Sequence, residues 1–406
     1  MSKHETERRV PNLRFKGFTD DWMQQKLSTL VELLRSYPLS RKYETLTKSG
    51  TRYVHYGDIH TGVVNIINKE NELPSILEEE YKTLKKGDII LADASEDYQG
   101  IAWPAVLNIN PIEDIVAGLH TIALRPKNDV DSLFMYYTFL TTDFRKFGYR
   151  MGTGMKVFGI TSNNLLKYDF KLPSKIDEQI KVRNIIGLIN NIITLEQEKL
   201  NHILEIKHAF LRKVYSTKAN DNMILFKMNK YISKKGKINK ENKEYIVSSV
   251  NNKKGFINQS EQFESTRLNN LDKSTYRIID PKDFAYNPSR INVGSIGYND
   301  TDNTLIVSPL YIVFRLNDEI NDKYFYYYTQ TEKFLYEVNR NTEGSVRQSL
   351  TFENMGNINI PIPNNYQIQL LISQYFKKID NIIFITEQKI NRCKKIKTYL
   401  LQSLFV

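Results

Sequence analysis

The chain has 406 residues, a formal charge of +11 and a pI near 9.2, with 41% apolar and 25% charged residues. That is enough for two or three domains with cores of their own in a folded, water-soluble chain. A single cysteine, Cys393, and six histidines without metal-ligand spacing exclude a disulfide framework and a cysteine metal cage. No charged-then-apolar leader or bilayer-length apolar run occurs, so the expected location is cytoplasmic. The basic balance points to a polyanion, which leaves DNA, RNA or an anionic membrane; no basic amphipathic anchor supports the membrane.

In chain order, "YVHYGDIHTG" (53–62) is rich in hydrogen-bonding side chains and supplies His55, Gly57, Asp58 and His60 as a first candidate contact loop. For these histidines a loop role outweighs metal ligation. "KKGDIILA" (85–92) and "TIALRP" (121–126) read as strands beside turn signals. Between them "LADASEDYQG" (91–100) supplies Ser95. "SLFMYYTFLTTDFRKFGY" (132–149) reads as a helix whose aromatics are core rather than a base-stacking platform. "RMGTGMKVFGITSNNL" (150–165) then combines Gly152, Thr153 and Gly154 with a cation, Lys156.

From about 173 to 216 the spacing predicts a long helix. Val182, Ile186, Ile189, Ile193, Glu196, Leu200, Ile203, Lys207, Phe210 and Val214 alternate by four and three, which is a heptad seam. Adding 190 reproduces the seam as Ile372, Phe376, Ile379, Ile383, Thr386, Ile390, Cys393, Lys397, Leu400 and Leu404. No proline interrupts either helix, and Pro173 and Pro363 sit just before them. Each would be a rod of roughly 60 Å at about 1.5 Å per residue. A stripe that long must be covered, and antiparallel pairing of the two copies is the simplest cover. The polar seam positions Glu196, Lys207, Thr386 and Lys397 either fix the register or tip toward solvent.

The 190-residue offset extends further. Arg125 matches Arg315, Tyr136-Tyr137 matches Tyr326-Tyr327, Phe144 matches Phe334 and Gly154 matches Gly344. Before about residue 118 the offset drifts, although "KKGDIIL" (85–91) still resembles "DPKDFAY" (280–286). In the second copy "LYIVFRL" (310–316) reads as a strand and "KYFYYYTQTEKFLYEVN" (323–339) as a helix. Its candidate loops are "YIVSSVNNKKGF" (245–256), with Ser249, Asn251, Asn252, Lys253 and Lys254; "YNPSRINVGS" (286–295), with Asn287, Ser289 and Arg290; and "NTEGSVRQSLTFENM" (341–355), with Gly344, Ser345, Arg347 and Gln348. Glycine permits close backbone approach, cations and amides suit phosphates, and Arg or Gln pairs bidentately with guanine or adenine edges. The alternative for each loop is an ordinary surface turn.

No complete catalytic signature is present: no phosphate loop, no H-E-x-x-H, no nucleophile elbow. "YNPSR" (286–290) only grazes the tetrapeptide with which amino-methyltransferases hold a flipped base. Three readings remain: sequence-specific DNA recognition, a coiled-coil scaffold, and a pseudo-dimeric regulator acting alone.

"VPNLRFKGFTDDWMQQKLSTL" (10–30), "KLPSKIDEQIKVRNIIGLINNIITLEQEKLNHILEIKHAFLRKVY" (171–215) and its twin "PIPNNYQIQLLISQYFKKIDNIIFITEQKINRCKKIKTYLLQSLF" (361–405) resemble the specificity subunit of type I restriction-modification enzymes. The resemblance implies an α+β fold: two similar mixed α/β target-recognition domains (1–172 and 217–362) and two conserved helices (173–216 and 363–406) packed as an antiparallel coiled coil in a pseudo-twofold tandem repeat. It further implies a non-catalytic subunit on double-stranded DNA, reading a bipartite asymmetric target. Two modification subunits would carry S-adenosylmethionine, and two restriction subunits would carry ATP and Mg; this chain itself would bind no cofactor. The second half lacks a clear counterpart of the "LRFKGF" opening.

Overall fold

The computed structural model describes residues 10–47, 49–77, 79–154, 157–216, 223–252, 255–259, 272–344 and 348–406. Two long helices, Ile176–Val214 and Tyr366–Ser403, run through two compact units. The first unit holds residues 1–196 and 389–406, the second residues 197–388. Each unit therefore combines the start of one long helix with the end of the other. In the first, Val182 and Ile186 share a core with Leu400, Leu404 and Phe405. In the second, Phe376 shares a core with Leu211 and Tyr215. Start packs on end in both, so the pairing is antiparallel.

Every seam position is buried or half-buried. Ile186, Leu200, Phe376, Ile390 and Leu400 are buried; Ile189, Ile193, Ile203, Ile379 and Ile383 are half-buried. Two of the four polar seam residues are ion-paired across the helices: Glu196 takes the Lys389 ammonium, and Lys207 reaches Asp380 at 2.7 Å. Thr386 is buried and donates to its own helix at the Ile382 carbonyl, 2.8 Å. Lys397 is half-buried, and burial lowers its pKa.

The first unit has a five-stranded sheet in the order Val31–Leu34, Thr121–Pro126, Ile89–Ala92, Pro104–Leu107, Ile66–Ile67. A four-stranded sheet follows the order Asp114–Ala117, Thr51–Val54, Ser75–Ile76, Glu44–Thr45. The second unit repeats this plan with Ile232–Lys235, Ile312–Leu316, Phe284–Tyr286, Ile296–Tyr298 in one sheet. Its other sheet contains Gly255–Asn258, Ile246–Asn251, Leu305–Val307 and Arg277–Ile279. A parallel pair recurs in both units, Thr51–Val54 with Asp114–Ala117 and Ile246–Asn251 with Leu305–Val307.

Side-chain anchors repeat as well. Gln179 is buried; its amide oxygen accepts from the Asp131 backbone N–H (2.9 Å) and its nitrogen donates to the Asp129 carbonyl (3.2 Å). Gln369 does the same with Asn321 (2.9 Å) and Glu319 (3.3 Å). Asp131 and Asn321 in turn cap the helices Ser132–Thr138 and Asp322–Tyr328. Arg125 grips buried Asp88 with two hydrogen bonds, at 2.8 and 2.7 Å, and Arg315 grips buried Asp283 at 2.7 Å. The Asp88–Asp283 offset is 195, five residues more than that of the arginines, which is the drift visible in the sequence.

Each of the two aromatic-rich segments expected as one helix is two. Ser132–Thr138 is followed by Thr142–Met151, and Asp322–Tyr328 by Glu332–Asn341. Thr141 and Thr331 cause the break, because each hydroxyl accepts from the backbone N–H three residues on and starts a new helix. The aromatics are core: Phe134, Phe139, Phe144, Tyr324, Tyr328 and Phe334 are all fully buried.

The N-terminal opening clasps the first long helix. Arg14 donates to both oxygens of Glu178 at 2.8 and 2.9 Å, and the Trp22 indole donates to the same carboxylate at 3.3 Å. The register mate of Glu178 is Ile368, an exposed apolar residue with nothing for an arginine to grip. That accounts for the missing second "LRFKGF".

The symmetry also breaks at one seam neighbour. Asp380 accepts from Lys207 and from the Tyr327 hydroxyl (2.8 Å), whereas its mate Asn190 donates to the Tyr137 hydroxyl (3.1 Å) and offers Lys397 no charge. Asn190→Asp is expected to stabilise the chain, and Asp380→Asn to destabilise it, each by about 1 kcal/mol. Thermal unfolding of the two variants at neutral pH checks this; equal shifts of the same sign would contradict it.

Candidate nucleic-acid interface

The three candidate loops lie far apart in sequence, and within each unit hydrogen bonds draw them together. In the first unit the Ile160 backbone N–H donates to the Asp93 carbonyl (2.8 Å), and Phe158–Gly159 pairs with Ala94–Ser95. This joins the glycine loop to the turn after strand Ile89–Ala92. His60 Nε2 lies 2.7 Å from the Ala94 carbonyl, so it carries the proton and donates, leaving Nδ1 as an acceptor. That joins the helix Tyr56–His60 to the same turn.

The second unit uses equivalent joints. The Leu350 N–H donates to the Pro288 carbonyl (3.1 Å), and the Asn252 amide donates to the Val293 carbonyl (3.4 Å). The glycine loops share one closure: Thr153 and Gly159 exchange both backbone hydrogen bonds (2.9 and 2.8 Å), as do Glu343 and Ser349 (3.0 and 2.9 Å). Gly154 (φ +136°) and Gly344 (φ +107°) turn these loops in the left-handed region that L side chains avoid. At Gly154 a Cβ would collide with the Val157 carbonyl oxygen.

The predicted residues divide by exposure. Thr153, Gly154, Asn252, Ser289, Arg290, Gly344 and Gln348 are exposed; Gly57, His60, Gly152, Ser249, Asn251 and Asn287 are half-buried. His55, Asp58 and Ser95 are buried and bonded internally. His55 Nδ1 accepts from the Gly57 N–H (3.1 Å), and Asp58 accepts from Arg41 (2.7 Å). The Ser95 hydroxyl lies 3.5 Å from Asp97 Oδ1. These three shape the loops rather than present their polar atoms outward. Ser249 and Asn251 lie on Ile246–Asn251, opposite Ile257 and Gly255. Lys156, Lys253, Lys254, Ser345 and Arg347 lie outside the described residues.

Where the first unit has the helix Tyr56–His60, the second has the hairpin Ile246–Asn251 with Gly255–Asn258. The larger sheets share the order of four strands and both units hold the parallel pair, while the elements that follow the first strand of that pair differ.

The first unit also forms a cavity of about 520 Å³, walled by Tyr56, His60, Ser95, Glu96, Asp97 and Trp103. Trp103 escaped the sequence reading because no spacing marks it; only its place after Gly100 in the chain hints at it. Arg145 fixes this wall from below. Its guanidinium lies 4.9 Å from the Trp103 ring and donates to the carbonyls of Gln99 (2.7 Å), Ala102 (3.0 Å) and Ile101. Burial lowers its pKa, yet a guanidinium stays charged at neutral pH. Burial raises the Asp93 carboxyl pKa, and His120 at 3.2 Å partly opposes that. In the second unit a cavity of about 440 Å³ is lined by Tyr326 and, on the long helix, by Lys377 and Asp380, and its wall does not include Arg290. Among the described residues no three His, Cys, Asp or Glu gather as a metal site, and no helix is long and apolar enough to cross a membrane.

Burial, and after it the charge of Arg41, lowers the pKa of His55 below 6.5. The unfolded chain then takes up this proton first, so stability falls as pH drops below about 6.5 and is unaffected by this group above it. His55→Gln keeps an acceptor for Gly57 and removes the titration. The gap between wild-type and variant melting temperatures should therefore shift toward the variant between pH 7 and pH 5. A gap constant across that range would remove the role assigned to the ring.

Residues 215–395 match the family described as "Type I restriction modification DNA specificity domain". The comparison with curated proteins found no match. Among solved structures, the chain is similar to the type I restriction-modification S subunit from M. genitalium. Identity is 14%, the match covers 98% of this chain and 99% of that one, and the TM-score is 0.61. A second similar structure, from work on complex assembly and conformational transition of the type I R-M system, is also 14% identical. It covers 96% of this chain and 99% of that one with a TM-score of 0.57. At such identity these likenesses establish the fold. Residues 215–395 thus match the type I restriction-modification DNA specificity domain, and the chain carries the fold of solved type I S subunits along nearly its whole length.

Proposed function

We propose that this chain is the DNA-specificity subunit of a type I restriction-modification assembly. Each recognition domain reads one half of a bipartite, asymmetric double-stranded target. The chain performs no chemistry itself. It directs adenine methylation by two modification subunits, which carry S-adenosylmethionine, and cleavage by two restriction subunits, which use ATP and Mg. The observation that carries this reading is the convergence of three loops in each unit on a repeated scaffold, with different side chains on the two copies. A shared frame with divergent loops suits two modules that address different sequences in the same manner. The charge of +11 supplies the sequence-independent attraction to phosphate.

The long helices support the partner assignment. Leu195 and Ile396 are exposed in the first unit, and their register mates Ile385 and Ile206 are exposed in the second. Burying each such side chain is worth about 1.5–3 kcal/mol, so two equivalent apolar patches fit two copies of one partner.

Specific binding by the complex should fall steeply as salt rises, as counterion release requires, while keeping its sequence preference. A scaffold would show neither. Insertion of seven residues into one long helix should change the spacer between half-sites or abolish assembly with the modification subunits. Methylome sequencing reads the first outcome and co-purification the second. An insertion that leaves both unchanged removes the helices from the spacing role.

A further inference from the structure

The turn after the central strand is built alike in both domains and armed with opposite chemistry. Its start is fixed by matching hydrogen bonds, Ile160 N–H to the Asp93 carbonyl and Leu350 N–H to the Pro288 carbonyl. Its end is fixed by a one-turn 3₁₀ helix, Tyr98–Gly100 in the first domain and Ile291–Val293 in the second. The residue opening that helix is Asp97 in one and Arg290 in the other.

In the first domain this turn forms one wall of the 520 Å³ cavity. Tyr56 and Trp103 supply aromatic wall. His60 contributes an acceptor, because its Nε2–H is committed to the Ala94 carbonyl. Asp97 spends a carboxylate oxygen on the Gly100 N–H (2.8 Å). Glu96 is exposed on the wall, with a carboxylate that no described residue engages. Gly100 makes this approach possible, since a Cβ there would meet the Ser95 hydroxyl and lie 2.8 Å from His60 Cε1. Glu96 and His60 thus present acceptors on an aromatic frame. In the second domain the matching position presents the exposed guanidinium of Arg290, a donor fork.

Base edges in the major groove distinguish these chemistries. Cytosine N4 and adenine N6 are donors, and guanine O6 and N7 are acceptors suited to arginine. We propose that the two domains read opposite hydrogen-bonding characters at this shared turn. In the first half-site the cavity receives the amino group of a cytosine or adenine, with Glu96 as acceptor and His60 beside it. In the second half-site Arg290 donates to a guanine. This rests on the specificity-subunit reading and assigns the base chemistry of each domain within it.

The test uses the full chain assembled with its modification subunits and a pool of duplexes randomised across both half-sites, with methylated products sequenced. Glu96→Ala should relax selectivity about tenfold or more at one position of one half-site and leave the other half unchanged. Arg290→Ala should do the same for a guanine in the other half. At the position Glu96 controls, replacing the base by its analogue lacking the exocyclic amino group should lower wild-type methylation by a similar factor. It should leave Glu96→Ala unaffected. Unchanged selectivity in Glu96→Ala, or an analogue effect equal in wild type and variant, overturns the assignment. A wild-type complex that methylates without sequence preference instead overturns the specificity-subunit reading itself. Co-purification of each variant with the modification subunits separates loss of reading from loss of folding.

Discussion

The structure depends on an exchange of helix ends. Neither domain closes its core with the long helix that follows it alone; each also takes the far end of the other long helix. In the first unit Phe405, from the end of the second long helix, stacks on Phe134 at 5.2 Å and meets Trp22 edge-on at 6.4 Å. In the second, Tyr215, from the end of the first long helix, packs on Tyr324 at 5.0 Å and donates to its carbonyl at 2.7 Å. Phe134 and Tyr324 are register mates, as are Phe405 and Tyr215, so the contact is one joint written as Phe–Phe in one unit and Tyr–Tyr in the other. Each aromatic buries roughly 150–250 Å² when enclosed. Antiparallel pairing is thereby tied to the folding of both domains.

Around that joint the molecule divides its residues into two classes. One class repeats in place: the buried glutamines, the capping Asp131 and Asn321, the Asp–Arg pairs under the central strands, and the glycines with positive φ. These hold backbone groups that would otherwise be buried without partners, where each omission costs about 1–3 kcal/mol. The other class sits on the loops and differs between copies, down to a helix in one and a hairpin in the other. Stability is assigned to the first class, and the second is free to vary because, His55, Asp58 and Ser95 aside, its side chains are exposed or half-buried.

Much of this was legible in the sequence, for identifiable reasons. The long helices and their seam follow from a 4-3 alternation that persists over some forty residues, too long for any competing pattern. The 190-residue offset also matched Gly154 with Gly344, which lie in the loops that Thr153–Gly159 and Glu343–Ser349 close. The break at Thr141 and Thr331 did not show, because a continuous aromatic run masked a single capping hydroxyl. The clasp of Arg14 on Glu178 and the seat of Arg145 under Trp103 also did not show. They link residues 164 and 42 positions apart, and local periodicity carries no information on such pairs. The candidate loops were found as stretches, but which side chains turn inward, as His55, Asp58 and Ser95 do, depended on neighbours brought in from elsewhere.

The paired sockets of Gln179 and Gln369 have a consequence for inheritance. Each holds its domain through main-chain atoms and a helix-capping Asp or Asn, and asks nothing of the candidate loops. A foreign module bearing the same few anchors would seat as readily as the native one. If the domains read DNA as proposed, recombination at the helix starts would create a new target in one step, without retuning the rods.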